Sequence, residues 1–536
     1  MIRQLKRRFL GMLLCAVAVA TSQVPAQGQD APLVADIFTS HMVLQRDVAV
    51  PVWGWSAAGS AVTVTLGEQT QTAKADDSGR WQVALGKLKA SKEPTTMTVK
   101  SGDKVVTFED VLVGDVWICS GQSNMEWGLN SSLNGKDEVA AADHPTIRLF
   151  NVPGHPTSPL PNTRITGQAA WQVCSPGSAG GFSAVGYFFG RRLNQETGVP
   201  IGLIGSNWGG TRIEPWTPPV GFRNVPELAS ISKQVDQFDP TQPAGKETWA
   251  KHADAVAKWE AAKKAAEAAG TPVPEAPKTP GFNQGGQPTA IYNAMISPLA
   301  PYAIRGAIWY QGESNGGEGV EYFHKMTALI EGWRSVWNQT DLPINFYFVQ
   351  LANFQKPTDN PEGGDGWARI REAQRQSLTI PHTGMAVITD IGEAGDIHPR
   401  NKQDVGTRLA AWALRDVHEM KDVVVSGPLY KSMKIEGNKI AISFDHVGGG
   451  LMVGKKEGLS PTVEDKEGKL ARFAIAGEDK QWKWADAVIV GDTVVVSSNE
   501  VAAPVAVRYA YSMNPLGANL YNKAGFPASP FRTDSW

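Results

Sequence analysis

The sequence predicts an α/β core held between two all-β regions, and three observations carry that prediction. Between about residues 111 and 417, apolar strand signals alternate with helical spacing, the rhythm of a parallel sheet covered by helices. From Leu33 to Asp110 the chain runs in short β-branched stretches cut by Gly, Asp and Ser turns. After Asp422 that β character returns and continues to the end. The division expected is 1–26 as a signal peptide, 27–112 as an N-terminal β-sandwich, 113–420 as an α/β domain with an insertion at 218–288, and 421–536 as a second β-sandwich.

The amino-terminal segment is set aside first. Arg3, Lys6, Arg7 and Arg8 precede the apolar run Phe9 to Ala20, and Val24-Pro25-Ala26 makes a small-residue exit. That is the layout of an export signal, and the apolar run is short of the ~20 residues a spanning helix needs. An exported protein without a membrane partner after cleavage is the expectation. Lipidation at Cys15 is disfavoured, because Leu14 stands where a small residue is wanted.

Composition bounds the rest. The chain has 536 residues, 19% of them charged, with a net charge of −2, so neither nucleic acid nor an anionic membrane is called for. Eighteen Trp and 55 Gly suit a protein with aromatic surfaces and many tight turns, as carbohydrate chemistry uses, although most Trp pack cores. Beyond the signal only Cys119 and Cys174 remain. Two isolated Cys without close His partners make a poor metal site, and no cofactor or metal is expected. Whether they pair stays open at this level.

In the first β region, Val48 to Gly54, Ala61 to Gly67 and Thr95 to Lys100 have strand patterning, and Asp76-Asp77-Ser78-Gly79 turns into Arg80 to Val83. In the core, Ile147 to Phe150, Pro200 to Gly205, Ala303 to Tyr310, Asn345 to Leu351 and Met385 to Thr389 read as strands. Phe182 to Glu196, Tyr322 to Trp337, Trp367 to Leu378 and Asn401 to Val417 read as helices. The insertion holds Lys246 to Ala269, an Ala-Lys-Glu stretch that favours an exposed helix, followed by the linker-like Pro272 to Pro277. In the closing region Ile440 to Phe444, Thr493 to Ser497 and Pro504 to Tyr509 read as strands.

Chemistry gathers on polar turns at the ends of core strands, where ligands of open α/β sheets sit. Val116 to Cys119 is an apolar strand, and Ser120-Gly121-Gln122-Ser123-Asn124 is the turn that ends it. A serine on such a turn has an exposed hydroxyl and nearby backbone N–H groups, so Ser123 is the candidate nucleophile. His398 is the candidate base. It lies in Gly392 to Pro399, with Asp396 two residues away to orient the imidazole through Nδ1. The alternative for Asp396 is simple turn chemistry, its carboxylate accepting backbone N–H groups. Donors for an oxyanion come from Gly205 to Thr211, where a glycine N–H could point into the site, and from Trp309 to Asn315, where Gln311 offers a side-chain amide.

At these residues the sequence resembles a known family. Gly121-Gln122-Ser123-Asn124-Met125, Trp309 to Asn315 and Asp396-Ile397-His398-Pro399 are together similar to the sialate O-acetylesterase family of SGNH hydrolases. Met42-Val43-Leu44-Gln45 near the start, and Asn519 to Asn522 and Pro530 to Asp534 near the end, extend the resemblance. The resemblance implies a flavodoxin-like three-layer α/β/α hydrolase domain flanked by β-domains, and metal-free removal of O-acetyl groups from sugars. It implies Ser123 as nucleophile, His398 as base and then acid, and Asp396 as its orienter. The Ser123 N–H, Gly209 N–H and Gln311 would form the oxyanion hole, with Asn315 a second candidate for the last donor. Trp208 and Arg212 are the candidate substrate contacts, Arg212 for a sialic carboxylate; core packing is the alternative for Trp208 and a surface salt bridge for Arg212. An acetylated carbohydrate is the expected partner. The same residues would serve acetylated xylan or xyloglucan fragments, and a non-catalytic carbohydrate-binding protein is the alternative of another class.

Overall fold

A computed structural model describes residues 31–536, so the signal-peptide expectation lies outside the described residues. An eleven-stranded mixed sheet carries the core. Its central path uses β1 (Lys104–Gly121), β2 (His144–Asn151), β3 (Gln172–Cys174), β4 (Ile201–Asn207), β5 (Gly306–Tyr310), β6 (Asn345–Gln350) and β7 (Thr383–Val387). Their order across the sheet is β7-β6-β5-β1-β4-β2-β3. All neighbours are parallel except the edge pair β2 and β3. The order reverses direction at β1, which has β5 on one side and β4 on the other, and a crevice opens beyond strand ends at such a point.

β1 is long because it serves two structures. Its first half pairs antiparallel with Ser91–Ser101 of the amino-terminal β region, and its second half runs parallel between β4 and β5. The change of character read near residue 112 therefore falls inside one unbroken strand. The apolar residues on both sides of it form one continuous hydrophobic core. Asp115, on this strand, is buried and met by Arg46 at 2.9 Å, Arg305 at 3.1 Å and His418 at 3.2 Å. Burial works against its charge, but these partners outweigh that and hold its carboxyl far below the usual range.

Five helices matter for the site: α1 (Ser123–Glu126), α2 (Ala184–Thr197), α3 (Val320–Trp337), α4 (Gly366–Gln376) and α5 (Lys402–Asp416). α2 and α5 pack on one another, and α3 packs on α4. α2 approaches β1 so closely that a Cβ at Gly186 would stand 2.8 Å from the Cys119 sulfur. Cys119 and Cys174 are both buried free thiols. Burial raises both, the Cys174 thiol to about 12, which makes them inert packing groups.

The insertion contains the expected helix, Pro243–Ala269, with only Gly245 and Ala266 buried along it. Beyond residue 428 the chain is β again, in sheets of four, three and four strands around a second hydrophobic core. Arg371 of α4 fastens this region to the centre. Its buried guanidinium donates to the carbonyls of Leu351, Ala352, Ser512 and Met513 at 2.6–2.9 Å. Burial lowers it to about 9. Among the described residues no helix is long and apolar enough to cross a membrane.

Candidate active site

β1 ends at Gly121, and the chain turns at once into α1. Gly121 has φ of +141°, and a Cβ there would stand 2.1 Å from the Tyr310 carbonyl oxygen of β5. The Gln122 N–H donates to that same carbonyl at 3.0 Å, so the turn is tied to the neighbouring strand. Ser123 is the first residue of α1, where a backbone N–H has no partner within the helix.

The loop that follows β7 brings His398 over this turn. Its Nε2 lies 2.8 Å from Ser123 Oγ, and its Nδ1 lies 3.2 Å from Asp396 Oδ1. That carboxylate oxygen also accepts the His398 backbone N–H at 2.8 Å, so the turn role and the orienting role of Asp396 coexist. The Trp127 ring stacks on the imidazole, with centroids 5.2 Å apart and planes 18° from parallel. Serine, imidazole and carboxylate thus stand in the relay a nucleophile and its base require.

Gly209 lies beside the serine, close enough that a Cβ on it would stand 3.2 Å from Ser123 Cβ. Its N–H donates to Glu126 Oε2 at 2.7 Å, and the other oxygen of Glu126 contacts His155 Nε2 at 2.9 Å. His155 in turn stacks on Trp208, centroids 4.8 Å apart. Trp208 is half-buried, and Gly285 of the insertion approaches its ring.

Two expectations need correction. Gln311 is buried, and its amide donates to the Thr211 carbonyl at 3.2 Å and to Asn315 Oδ1 at 2.8 Å. Both its N–H groups are spent on buried acceptors and it has none to offer an oxyanion, whereas the acceptor at the Gly209 N–H is the partly exposed carboxylate of Glu126. Asn315 fares the same way, donating to Glu214 at 3.2 Å and Glu318 at 3.1 Å. Arg212 does not stand free for a sialic carboxylate either. It pairs with Glu214 and Glu318 and donates to the Ser314 carbonyl.

Asn124, Glu313 and Lys402 form a network under the serine. Glu313 braces loops there, as its place in the Trp309 to Asn315 segment suggests, and takes no place beside Ser123 and His398. Asn124 donates to Glu313 Oε1 at 2.6 Å and to the Ile397 carbonyl at 3.0 Å, and its oxygen accepts from Lys402 Nζ. It thereby ties the Ser123 turn to the residue before His398. Lys402 also sits over the rings of Trp127 and Tyr310, at 5.7 and 5.2 Å. Burial pushes both ionisable groups toward neutrality, Lys402 down to about 7 and Glu313 upward. The only sequence signal was position: Asn124 follows the serine directly, and Lys402 comes four residues after His398.

Replacing Lys402 with Met keeps the bulk and removes the amine. The expected result is kcat lowered about tenfold through a looser His398 loop. Stability at pH 7 should change by less than about 2 kcal/mol, since a buried ammonium is costly to keep. The folded wild type, with Lys402 near 7 against about 10.4 unfolded, binds fewer protons than the unfolded chain between those values. Its stability should therefore gain a contribution as pH rises from 7 to 10, and the Lys402→Met variant should lack it. Urea midpoints at pH 7 and 9.5 read this directly; identical pH dependence in the two proteins contradicts it.

With this geometry in view, the comparisons with known proteins are informative. The family model for carbohydrate esterases described as sialic acid-specific acetylesterase matches residues 273–415. Sialate O-acetylesterase from Mus musculus is 28% identical over 539 residues, covering 93% of each chain. The Homo sapiens protein of the same name is 27% identical, covering 93% of this chain and 91% of its own. The crystal structure of a carbohydrate acetylesterase from Xanthomonas citri superposes with a TM-score of 0.76 at 37% identity, over 94% of this chain and 99% of that one. A mixed α/β core with added β-sheets, a full-length relative of known class and agreement across independent comparisons lead to one conclusion: this chain belongs to the sialate O-acetylesterase family of carbohydrate esterases and is a carboxylic ester hydrolase.

Proposed function

We propose that this protein is a serine esterase that removes O-acetyl groups from carbohydrates through Ser123, His398 and Asp396 and an acetyl-enzyme. The observation that carries the reading is the 2.8 Å contact between Ser123 Oγ and His398 Nε2, with Asp396 behind Nδ1. In the first half-reaction Nε2 takes the serine proton as Oγ bonds to the acetyl carbon, and the carbonyl electrons move onto oxygen. The Ser123 and Gly209 N–H groups receive that oxyanion, which takes the place Glu126 Oε2 holds at Gly209 in the free enzyme. Gln311 braces the neighbouring loops instead. Collapse breaks the bond to the sugar oxygen, which leaves with the proton from His398. Water, deprotonated by the same imidazole, then releases acetate and restores the serine.

A second reading of the substrate has its own support. With Arg212 committed to Glu214 and Glu318, and Glu126 adding a carboxylate beside Ser123, a neutral acetylated plant polysaccharide is favoured over an anionic sialate. The signal-like segment 1–26 supports export, to the periplasm or beyond.

The covalent step has a direct test. Acid-quenched mixtures of enzyme and a chromogenic acetate ester, digested and weighed by mass spectrometry, should yield the peptide containing Ser123 with one acetyl group. Turnover without any acetylated Ser123 peptide, or with the label on another residue, contradicts the assignment.

A further inference from the structure

The largest exposed aromatic groups of this protein stand away from the serine and stand together. Among the described residues, Trp484, 41% exposed, and Trp536, 40% exposed, are the most open of the Phe, Tyr and Trp side chains. Trp482 and Trp484 lie two residues apart on the strand Trp482–Trp484, so both side chains leave the same face. The Trp536 ring lies 6.3 Å from that of Trp482. Each indole is also held by a cation: Arg508 lies 4.1 Å from the Trp482 ring, Arg472 5.5 Å from Trp484 and Lys480 5.2 Å from Trp536. Trp482 is buried beneath this face and braces the Trp536 ring, while the Trp484 and Trp536 rings, each held by a cation, stay open to water and form a rigid, ready surface.

Trp482 and Trp484 line a cleft of about 480 Å³ whose other walls include Asn360, Glu362 and Gln481. Indole faces with amide and carboxylate groups at their edge match the chemistry of a sugar chain. The C–H faces of pyranose rings stack on aromatics while their hydroxyls need donors and acceptors. Of the two lysines at the cleft, Lys483 is paired with Glu500 at 3.0 Å and Lys480 lies over the Trp536 ring, which leaves little free positive charge for a nucleic acid.

Position supplies the second argument. The cleft and the candidate active site share one loop, the one that leaves the carboxyl end of β6. Near its start the Asn353 side chain accepts the Gly392 N–H, and the Gln355 N–H donates to the Ala394 carbonyl on the His398 loop. Four residues on, the Asp359 carbonyl accepts from Trp484 Nε1 at 3.0 Å. From Trp484 through Asp359, Gln355 and Ala394 to His398 the path crosses eight residue steps and two hydrogen bonds, at most about 40 Å. A polysaccharide chain long enough to bridge that span can touch the tryptophans and the esterase site together.

We propose that Trp482, Trp484 and Trp536, with Asn360, Glu362 and Gln481 at the margin, form an ancillary binding surface for the acetylated polysaccharide substrate. It holds the glycan at a point away from the site of deacetylation and raises the local concentration of acetyl groups at Ser123. The gain is that of a second, linked contact, so it acts on long glycans and not on small esters.

The test has two arms, because the inference rests on the esterase reading only where catalysis is measured. In the first, the Ser123→Ala protein is run in native gels containing acetylated xyloglucan or acetylated xylan. Retardation by at least one is expected, and the additional changes Trp484→Ala and Trp536→Ala should abolish it. In the second, the same two changes are made with Ser123 intact. KM for the retarding polysaccharide should rise about tenfold, with kcat and all constants for a chromogenic acetate ester unchanged. If the double variant loses ester turnover, Gln481→Ala, at an exposed position, is measured in its place with the same expectation. No retardation by either glycan, or equal retardation with and without the indoles, overturns the proposal. Failure of chromogenic ester turnover in the wild type overturns the serine assignment instead and leaves the gel result standing.

Discussion

Alanine at position 123 is expected to lower kcat for a chromogenic acetate ester by about 10⁵-fold, with little change in KM. In the mechanism proposed above, the hydroxyl that sits 2.8 Å from His398 Nε2 bonds to the acetyl carbon, and an alanine methyl in its place cannot. The substitution is small, at the first position of a short helix whose buried contacts come from Asn124 and Met125, so the fold should survive it. A residual rate is expected, because backbone donors and the imidazole can still assist water. Steady-state kinetics with the purified variant, checked for folding by circular dichroism, provide the measurement. A variant that keeps more than about a tenth of wild-type turnover removes Ser123 from the mechanism.

The second large effect is on the fold beneath that serine. Gly121→Ala places a methyl group 2.1 Å from a backbone oxygen of β5, at a φ that side chains rarely adopt. The obstacle is backbone, which cannot step aside as a flexible side chain would. Gly121 also pairs with Tyr310 in the sheet, and the Gln122 N–H uses the same Tyr310 carbonyl, so any relief breaks the contact that aims the turn. A loss of about 3 kcal/mol is expected, overpacking against main chain adding to the strain of a side chain at this φ. Urea or thermal unfolding reads it, and the fraction that remains folded should have a displaced serine and lowered kcat. A stability change under 1 kcal/mol, on the scale of an ordinary surface substitution, contradicts this account.

Legibility in the sequence follows the range of the interaction. The alternation of strands and helices between residues 111 and 417 reflects periodicities of two and 3.6, which any window of a dozen residues displays. The polar turn at Ser123 and the Asp396-Ile397-His398 segment were visible for the same local reason. The long helix Pro243–Ala269 was plain from its Ala, Lys and Glu content, since it buries little and owes little to its neighbours. Gln311 and Arg212 show the converse. Each has the right chemistry at the right strand end, yet each is engaged by partners from elsewhere: Thr211 and Asn315 take the amide, and Glu214 and Glu318 take the guanidinium. No local pattern reports which of several acceptors a side chain will find.

By itself the sequence determined the kinds of element, their succession and a short roster of reactive side chains, because propensity and periodicity are properties of neighbouring residues. The tertiary structure decided which of those side chains are free and which are spent. It brought Ser123 to His398 across 275 residues, set Asn124 between Glu313 and Lys402, and gathered three tryptophans at one edge. The reason is that a buried polar group must be paired wherever a partner is found, and packing, not chain order, selects the partner.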